Sequence, residues 1–222
     1  MKKTLAILLM ALVVISLFVG CKKDPKVEVK TYEIGEKGPA GGYIFYDVDA
    51  DNDSTNDGAG PDGLKSSECG WRYLEAAPSD ASDSDSSYFA WGPDGKNYGT
   101  KTAVGEGKKN TELLLSQPKP TYTGTEAYAP EYYDAAKACA DYGDNTDYDD
   151  WFLPSIDELS LMYKVLKAEK KVGNFQDDNY WSSSENATSD DRCAVCFLDG
   201  EVDDDAGGAG SFYFVRPIRQ VK

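Results

Sequence analysis

One segment of the chain has a complete helix signature, and segments with the pattern of strands flank it on both sides. Ser155 and Glu158 form an S-x-x-E capping box, and apolar residues then recur at helical spacing as far as Leu166. Two further helices are predicted, at 107–117 and 130–142. Strand patterns are found at 43–48, 71–78, 179–185, 193–200 and 210–219. The sequence therefore predicts an α+β domain with two to three helices and a C-terminal antiparallel sheet.

The first twenty residues have the pattern of an export signal. Lys2 and Lys3 precede an apolar run from Leu5 to Val19, which is shorter than the roughly 18 to 20 residues that a membrane-spanning helix needs. Gly20 then stands directly before Cys21, and the segment resembles a bacterial lipoprotein signal, in which this cysteine becomes the lipidated first residue. An ordinary secretory signal with an incidental cysteine is the alternative. We expect a lipid anchor in the cell envelope, at the outer membrane or cell surface.

Cleavage before Cys21 divides the chain into a signal peptide, residues 1–20, and a mature part of 202 residues. Residues 21–31 are mostly charged and contain one proline, which is typical of a short extended tether. Residues 32–222 have the length of one ordinary domain. We therefore predict a single domain over 32–222.

The charge and the missing histidine exclude several function classes. The signal contains two of the 23 basic residues, so the mature chain has 21 basic and 39 acidic residues and a net charge of −18. Such a charge repels phosphate backbones, and we expect no nucleic-acid partner. The chain has no histidine, which excludes Ser-His-Asp and Cys-His nucleophile systems and histidine-ligated zinc.

Four cysteines remain after Cys21: Cys69, Cys139, Cys193 and Cys196. In an exported chain an even number predicts one or two disulfides, with three pairings open. Cys193 and Cys196 also form a C-x-x-C pair, which is compatible with redox or metal chemistry. Because they lie three apart on a predicted strand, however, their side chains should face opposite sides of the sheet. Nearby carboxylates should also raise the thiol pKa, so a structural role is favoured.

An acidic stretch near the start of the domain raises the question of calcium. Its alternate carboxylates are Asp47, Asp49, Asp51, Asp53 and Asp57. An EF-hand loop has glycine at position six and glutamate at position twelve, and neither register of this stretch provides both. A looser calcium loop and a solvated acidic loop both remain open, and no other cofactor is expected.

Four ordered motifs together resemble one known family. They are "GPAGGYIFYD", "WRYLEAAPSD", "DDWFLPSIDELSLMY", and "YWSSSE" followed by "FVRPIR". Over about residues 33–219 the chain is similar to the Lcl C-terminal-like family of bacterial surface domains, which often occur on lipoproteins. That resemblance implies a C-type-lectin-like fold, shared with formylglycine-generating enzymes and with the variable receptor proteins of diversity-generating retroelements.

The motif residues are interpreted as determinants of the fold. They are Trp151, Leu153, Pro154, Tyr180, Trp181 and Arg216. The first three set the entry of the main helix, and the aromatic pair provides apolar area to the sheet. Arg216 follows an alternating aromatic strand, so we expect it to pair with a carboxylate.

The fold resemblance places the ligand face on irregular segments near the C-terminal sheet, at about Ser182–Arg192 and Glu201–Gly210. Asn186 and Thr188 fit the glycosylation pattern there, which is expected to be accidental in a bacterial protein. Two lysine clusters are candidates for a local basic patch, although each is more typical of a solvated helix face: Lys108 with Lys109, and Lys164 with Lys167, Lys170 and Lys171.

Three functions remain. The leading hypothesis is a non-catalytic surface binding module, adhering to host protein, matrix or glycan, because the sequence predicts an anchor, resembles a lectin-like family and contains no catalytic constellation. The second is a structural or accessory envelope lipoprotein with a bacterial partner. The third, a cysteine-dependent enzyme, would have to use Cys193 and Cys196 and is disfavoured by the strand geometry. The sequence leaves the ligand and the oligomeric state open.

Overall fold

The structure is a computed structural model. It describes residues 30–50, 63–83, 86–93, 96–118, 133–143, 147–186, 188–189, 191–207 and 210–222. Within these ranges the architecture is α+β, with helices packed on small, mainly antiparallel sheets. Residues Tyr32–Lys222 form one unit.

The two ends of this unit meet in a three-stranded antiparallel sheet. Strand β1 is Tyr43–Asp47, β2 is Tyr73–Ala76 and β8 is Ile218–Val221, and their order in the sheet is β1-β2-β8. Ala76 of the central strand pairs with Tyr43 on one side and with Ile218 on the other. The strands predicted at 43–48 and 71–78 are thereby confirmed.

A second antiparallel sheet contains β4 (Asn179–Glu185), β5 (Arg192–Cys196) and β6 (Val202–Ala206), in that order. The first two strands were predicted, whereas β6 lies in a segment predicted as a ligand loop. Its sequence, VDDDA, has few strand-forming residues, but β6 is an edge strand whose carboxylates face largely away from the core. An edge position therefore tolerates a composition that the interior of a sheet would not.

The segment predicted as one strand at 210–219 is divided in two. Strand β7, Phe212–Tyr213, pairs with β3, Phe89–Ala90, while β8 joins the first sheet. Pro217 lies at the division, and because proline has no backbone N–H it cannot continue a ladder. The segment therefore does not join the C-terminal sheet as one antiparallel strand: Phe214 makes a parallel bridge to Tyr180 of β4, and the end of the chain crosses to β2.

Four α-helices lie within the described residues. Helix α1 is Ser66–Cys69, which was not predicted; α2 is Gly107–Leu115; and α3 is Asp134–Ala140, followed by a 3-10 turn over Asp141–Gly143. The helix predicted at 107–117 is confirmed. The helix predicted at 130–142 is confirmed from Asp134 onward, and its first residues lie outside the described ranges.

Helix α4, Ile156–Met162, begins as the capping box predicts. Ser155 Oγ accepts a hydrogen bond from the Glu158 backbone N–H, and Glu158 Oε2 accepts one from the Ser155 N–H at 2.7 Å. The helix continues with π-helical geometry over Tyr163–Lys170 and ends where Lys171 adopts a left-handed φ of 56°. Its apolar face packs on β1, β4 and β5.

Two apolar clusters make up most of the core, and strand β4 contributes side chains to both. Neighbouring residues on this strand point to opposite faces, so Tyr180 belongs to the cluster beneath α4 and Trp181 to the cluster beneath α3. Both side chains are fully buried. This placement agrees with their interpretation as determinants of the fold.

Candidate ligand cleft

An open cleft of about 700 Å³ lies between helix α3, the segment 79–83 and the β3–β7 ribbon. Its walls come from three separate parts of the sequence. None of the three was predicted to bind a ligand.

One wall is a single face of α3 and the turn after it. The residues that line the cleft follow helical spacing: Asp134, Lys137, Ala138 and Asp141. The Lys137 ammonium pairs with the Asp141 carboxylate. The opposite face, which includes Cys139, is buried in the second apolar cluster. Because packing fixes the buried face, the charged face is held toward the cleft.

Two half-exposed aromatic rings also line the cleft. Tyr88 and Phe212 are each 43% exposed, which is unusual for large apolar side chains in this domain. The Tyr88 ring packs against Phe214, with 4.3 Å between centroids, and Phe212 lies on β7 opposite Ala90 of β3. The strand pairing therefore holds the two rings at a surface where water reaches them.

Hydrogen bonds to the core fix the backbone of the cleft. The indole Nε1 of Trp181 donates to the Phe89 carbonyl at 2.8 Å, and the Ala81 N–H donates to the Val215 carbonyl at 3.0 Å. Because these partners belong to well-buried elements, the cleft is largely pre-formed.

Asp80 connects the cleft to the interior. One of its carboxylate oxygens accepts a hydrogen bond from Arg216 Nε at 2.7 Å, and the other accepts one from the Tyr180 hydroxyl at 2.9 Å. Arg216 also donates to two backbone carbonyls and lies 4.0 Å from the centroid of the Phe175 ring. The expected pairing of Arg216 with a carboxylate is thus present, and its partner lines the cleft.

Among the described residues that line the cleft, Asp80, Asp83, Asp134 and Asp141 have carboxylates and Lys137 is basic. Asp80 pairs with Arg216, and Asp141 pairs with Lys137. Oδ1 of Asp83 accepts a hydrogen bond from the Ser86 N–H at 2.7 Å, which orients this carboxylate. The cleft is therefore rich in hydrogen-bond acceptors.

The two described residues of the predicted calcium stretch already have protein partners. Asp47 accepts two hydrogen bonds from the Arg72 guanidinium, at 3.0 and 3.1 Å. Asp49 accepts from the backbone N–H and the hydroxyl of Ser66, at 3.0 and 2.7 Å. Burial raises the pKa of Asp49, but the Ser66 hydrogen bonds and Arg72 outweigh this and lower it. Both carboxylates serve to join β1 to α1 and β2.

The other three residues of that stretch, Asp51, Asp53 and Asp57, lie outside the described residues. In the part of the chain that the structure describes, no group of three or more His, Cys, Asp or Glu side chains is arranged to hold a metal ion. Calcium binding by the stretch stays a prediction.

The four cysteines Cys69, Cys139, Cys193 and Cys196 are free thiols, so the predicted disulfides are not formed in the structure. Cys139 and Cys193 are buried in different apolar clusters. Cys193 is buried whereas Cys196 is partly exposed, as expected for positions three apart on a strand. Each buried thiol is thus held in its own cluster.

Neither buried thiol favours its reactive form. Burial, and secondarily the carboxylates of Asp204 and Asp203, raise the pKa of Cys193 to about 12. Burial and Asp80 raise the pKa of Cys139 well above its ordinary value. Both thiols therefore keep their protons at neutral pH, which disfavours nucleophilic or redox chemistry.

The motif residues before α4 position that helix. The Trp151 indole donates to the Tyr148 carbonyl at 3.1 Å, and the Leu153 N–H donates to Thr111 Oγ1 at 3.0 Å. The Pro154 carbonyl accepts from the Ser183 N–H at 2.7 Å. These contacts join α4 to α2 and β4, which agrees with the interpretation of all three as fold determinants.

The predicted ligand loops are in part regular structure. Residues Ser182–Glu185 belong to β4 and are buried, and Val202–Ala206 form β6. Between the strands, Asn186 Oδ1 accepts from the Thr188 N–H and hydroxyl, both at 2.9 Å, and Asn186 Nδ2 donates to the Asp204 carbonyl. The prediction that these segments are irregular was therefore wrong for the residues that belong to β4, β5 and β6.

The two lysine clusters are only in part solvated helix faces, because at least one lysine of each has a protein partner. Lys109 Nζ lies 2.8 Å from Glu106 Oε1, and Lys167 Nζ donates to the Phe175 carbonyl at 2.8 Å and to Asp177 at 2.5 Å. No basic side chain from either cluster lines the cleft. The two lysine clusters thus lie outside the candidate site.

No family model matches the chain, and no curated protein matches it. Among the described residues, no helix is both long and apolar enough to cross a bilayer. Cys21 and the predicted signal lie outside the described residues.

Proposed function

We propose that the chain is a lipid-anchored surface protein that acts as a non-catalytic binding module. The observation that carries this proposal is the pre-formed cleft with two half-exposed aromatic rings at its surface. Single apolar side chains on a surface are ordinary, but two aromatic side chains gathered in one cleft are typical of ligand-binding sites. In this proposal the cleft replaces the C-terminal loops as the binding face.

A C-type-lectin-like fold belongs to the same proposal. The four motifs that resemble the Lcl C-terminal-like family support it, and the α+β architecture is compatible with it. In this reading the motif residues build the framework, and a binding face lies where the framework leaves side chains exposed. The ligand class is then a property of the cleft of this chain.

The proposed anchor is a lipid on Cys21, which would hold the protein at the outer membrane or cell surface. Two or three acyl chains anchor a protein durably, at roughly 0.8 kcal/mol per buried CH₂. Metabolic labelling with an alkyne analogue of palmitate tests this: the full-length chain should be labelled, and Cys21→Ser should not. Labelling of the Cys21→Ser variant would refute the anchor.

The net charge of the mature chain restricts the classes of partner, and the raised pKa of a buried thiol supports a non-catalytic role. A mature charge of −18 disfavours nucleic acids and sulfated polysaccharides. The raised pKa of Cys193 disfavours a cysteine-dependent reaction. Host protein, matrix and uncharged glycan remain as partner classes.

The test is binding of the full-length protein, in detergent micelles, to a panel of matrix proteins and glycans with calcium and with chelator. Paired substitutions Tyr88→Ala and Phe212→Ala should abolish saturable binding. Leu198→Ala with Val202→Ala is the matched control, because these side chains are 65% and 48% exposed and lie outside the cleft. Binding unaffected by the cleft pair would refute the site.

The absence of binding to every member of the panel would favour the second hypothesis, an envelope lipoprotein with a bacterial partner. Proteolysis of intact cells then separates the two, since a protein that faces the periplasm resists protease added outside. Crosslinking in the native cell would identify such a partner. Rapid digestion of the protein by the added protease would instead favour the adhesion hypothesis.

A further inference from the structure

We propose that the cleft binds an aromatic side chain that a protein partner presents between basic residues. This inference rests on the proposed function, since it names the chemistry of the partner at the same cleft. It follows from a row of aromatic rings that ends at the cleft, from the partners of the polar groups in its lining and from the net charge of the chain.

Five aromatic rings form a row through the domain. In order they are Tyr163, Phe197, Tyr180, Phe214 and Tyr88, and neighbouring ring centroids lie 5.3, 4.3, 5.5 and 4.3 Å apart. Such separations are typical of rings in direct contact. The three middle rings are buried, so the row belongs to the packed core up to its two end members.

The two ends of the row differ. At Tyr163 the backbone of Gly200 lies against the ring and leaves no room for a Cβ. At Tyr88 the ring lines the cleft and is 43% exposed, and Phe212, which lines the same cleft, is equally exposed. An aromatic side chain in the cleft would therefore extend the row by one ring at its open end.

The polar groups of the lining are already engaged within the fold. Each charged side chain among the described residues of the lining has a partner in the chain: Asp80, Asp83, Asp134, Lys137 and Asp141. The hydroxyls of Ser79 and Tyr142 bond to each other at 2.9 Å. The hydroxyl groups of a neutral sugar would have to compete with these partners, whereas an aromatic side chain gains by excluding water from the rings. The lining therefore favours an apolar anchor over a glycan.

An aromatic anchor fits the two rings of the cleft better than an aliphatic one. Ring pairs contribute more than their buried area alone, and tyrosine and tryptophan are common anchors of protein interfaces. Tyr213, which follows Phe212 on β7, already packs against Trp181 with 4.2 Å between centroids. At about 700 Å³ the cleft is larger than one side chain, so it also admits the residues on either side of the anchor.

The net charge of the chain indicates which residues flank the anchor. The mature chain has 21 basic and 39 acidic residues, hence a charge of −18. Such a charge attracts a basic segment at long range and accelerates its encounter, and it repels an acidic one. The partner that complements this chain therefore presents its aromatic side chain between lysines or arginines.

The test uses full-length protein in micelles of an uncharged detergent and an end-blocked five-residue peptide with a central tryptophan flanked by lysines. Binding is measured by calorimetry at low and high salt, after subtraction of the same titration into micelles alone. The matched probes replace the tryptophan by leucine or alanine, or the lysines by glutamates, and N-acetylated chitotriose is the neutral sugar probe. The tryptophan–lysine peptide should bind saturably and about tenfold more tightly than the alanine peptide, and its affinity should fall with salt.

Variants locate the binding. Tyr88→Ala should weaken binding of the tryptophan–lysine peptide by about three- to tenfold, because the ring contact is lost. Tyr88→Phe should bind within about twofold of the wild type, because it keeps the ring and loses only a hydroxyl that lies 3.5 Å from Asp178. Leu198→Ala is the control outside the cleft, since Leu198 is 65% exposed, and it should leave the affinity unchanged. Melting temperatures verify that each variant is folded.

The outcomes distinguish this inference from the proposed function. Equal affinity for the tryptophan and alanine peptides would show charge attraction alone and overturn the inference, as would the absence of saturable peptide binding. Tighter binding of the leucine peptide or of the sugar, weakened by Tyr88→Ala, would also overturn it while leaving the cleft as the binding face. Binding to matrix proteins that ignores every cleft substitution would instead overturn the proposed function itself.

Discussion

Arg216 and Asp80 form an ion pair of 2.7 Å that joins the interior of the domain to the surface cleft. The Arg216 side chain is 1% exposed and that of Asp80 is 12% exposed, so water does little to stabilise either charge. Each charge is stabilised instead by the other and by its hydrogen bonds. The guanidinium further donates to the carbonyls of Ala77 and Gly173, at 3.1 and 2.9 Å. One residue thereby holds together the end of β2, the segment after α4 and a wall of the cleft.

Arg216→Lys should destabilise the domain by about 2–4 kcal/mol, because an ammonium cannot reproduce the fork of donors and leaves buried acceptors unsatisfied. Urea unfolding followed by fluorescence gives the difference. Arg72→Lys is the control. Arg72 is 33% exposed in its pair with Asp47, so this substitution should lower the free energy of unfolding by less than about 1 kcal/mol. Equal costs for the two would show that burial of the Arg216 pair is unimportant.

Glu158 should make the stability of the domain depend on pH. Burial raises its pKa from the ordinary value of 4.5 to about 7, although backbone N–H groups of Ser155, Gly105 and Gly107 oppose this. Between these pH values the folded state binds a proton that the unfolded state has released. The free energy of unfolding that Glu158 contributes should therefore fall as pH rises from about 4.5 to 7, by up to about 3 kcal/mol.

Glu158→Gln isolates this effect, because glutamine keeps an acceptor oxygen and does not titrate. The stability of the wild type minus that of Glu158→Gln, measured by urea unfolding at intervals from pH 5 to 8, should decrease up to about pH 7 and then level off. A difference that stays constant would mean that the N–H donors keep Glu158 ionised throughout this range.

Gly107 is required where α2 meets the start of α4. A Cβ at this position would lie 2.7 Å from the Ser155 nitrogen and 2.9 Å from the Leu153 carbonyl oxygen, and closer still to the Glu158 carboxylate. Gly107→Ala should therefore destabilise the domain by about 1–3 kcal/mol, since backbone atoms must move. Gly207→Ala is the matched control: its nearest neighbour is the Ser211 hydroxyl at 3.9 Å. A thermal melt should shift only for Gly107→Ala.

The sequence predicted those parts of the fold whose signals are local. The capping box at Ser155 and Glu158 specified where α4 begins, and alternation predicted β1, β2, β4 and β5. Strand β6 was missed because its stability comes from pairing with β5 at a sheet edge and not from its acidic sequence. Pro217 could have shown that 210–219 is not one strand, because a proline excludes a continuous strand through its position.

The cleft was missed for a different reason. Its residues come from 79–83, 88–90, 134–142 and Phe212, which the fold alone brings together. Asp80 carries no local signature, and its role appears only when Arg216 is placed beside it. The alternating "FYF" before Arg216 was the one usable signal, because it places Phe212 and Tyr213 on opposite faces of the same strand.

The four described cysteines should separate into two classes of reactivity. Cys139 and Cys193 are buried and have raised pKa values, so both accessibility and thiolate fraction oppose their alkylation. Cys69 and Cys196 are partly exposed. Iodoacetamide applied to the native protein at pH 8 should therefore modify Cys69 and Cys196 at least tenfold faster, as measured by peptide mass spectrometry.

The same experiment in urea is the control, because all four thiols should then react at similar rates. If Cys193 in the native protein reacts as fast as Cys196, a cysteine-dependent enzyme becomes the better interpretation of the C-x-x-C pair. If any of the four resists alkylation until a reductant is added, it is held in a disulfide that the structure does not contain. Slow, reductant-independent labelling of Cys139 and Cys193 alone agrees with two buried thiols whose role is packing, one in each apolar cluster.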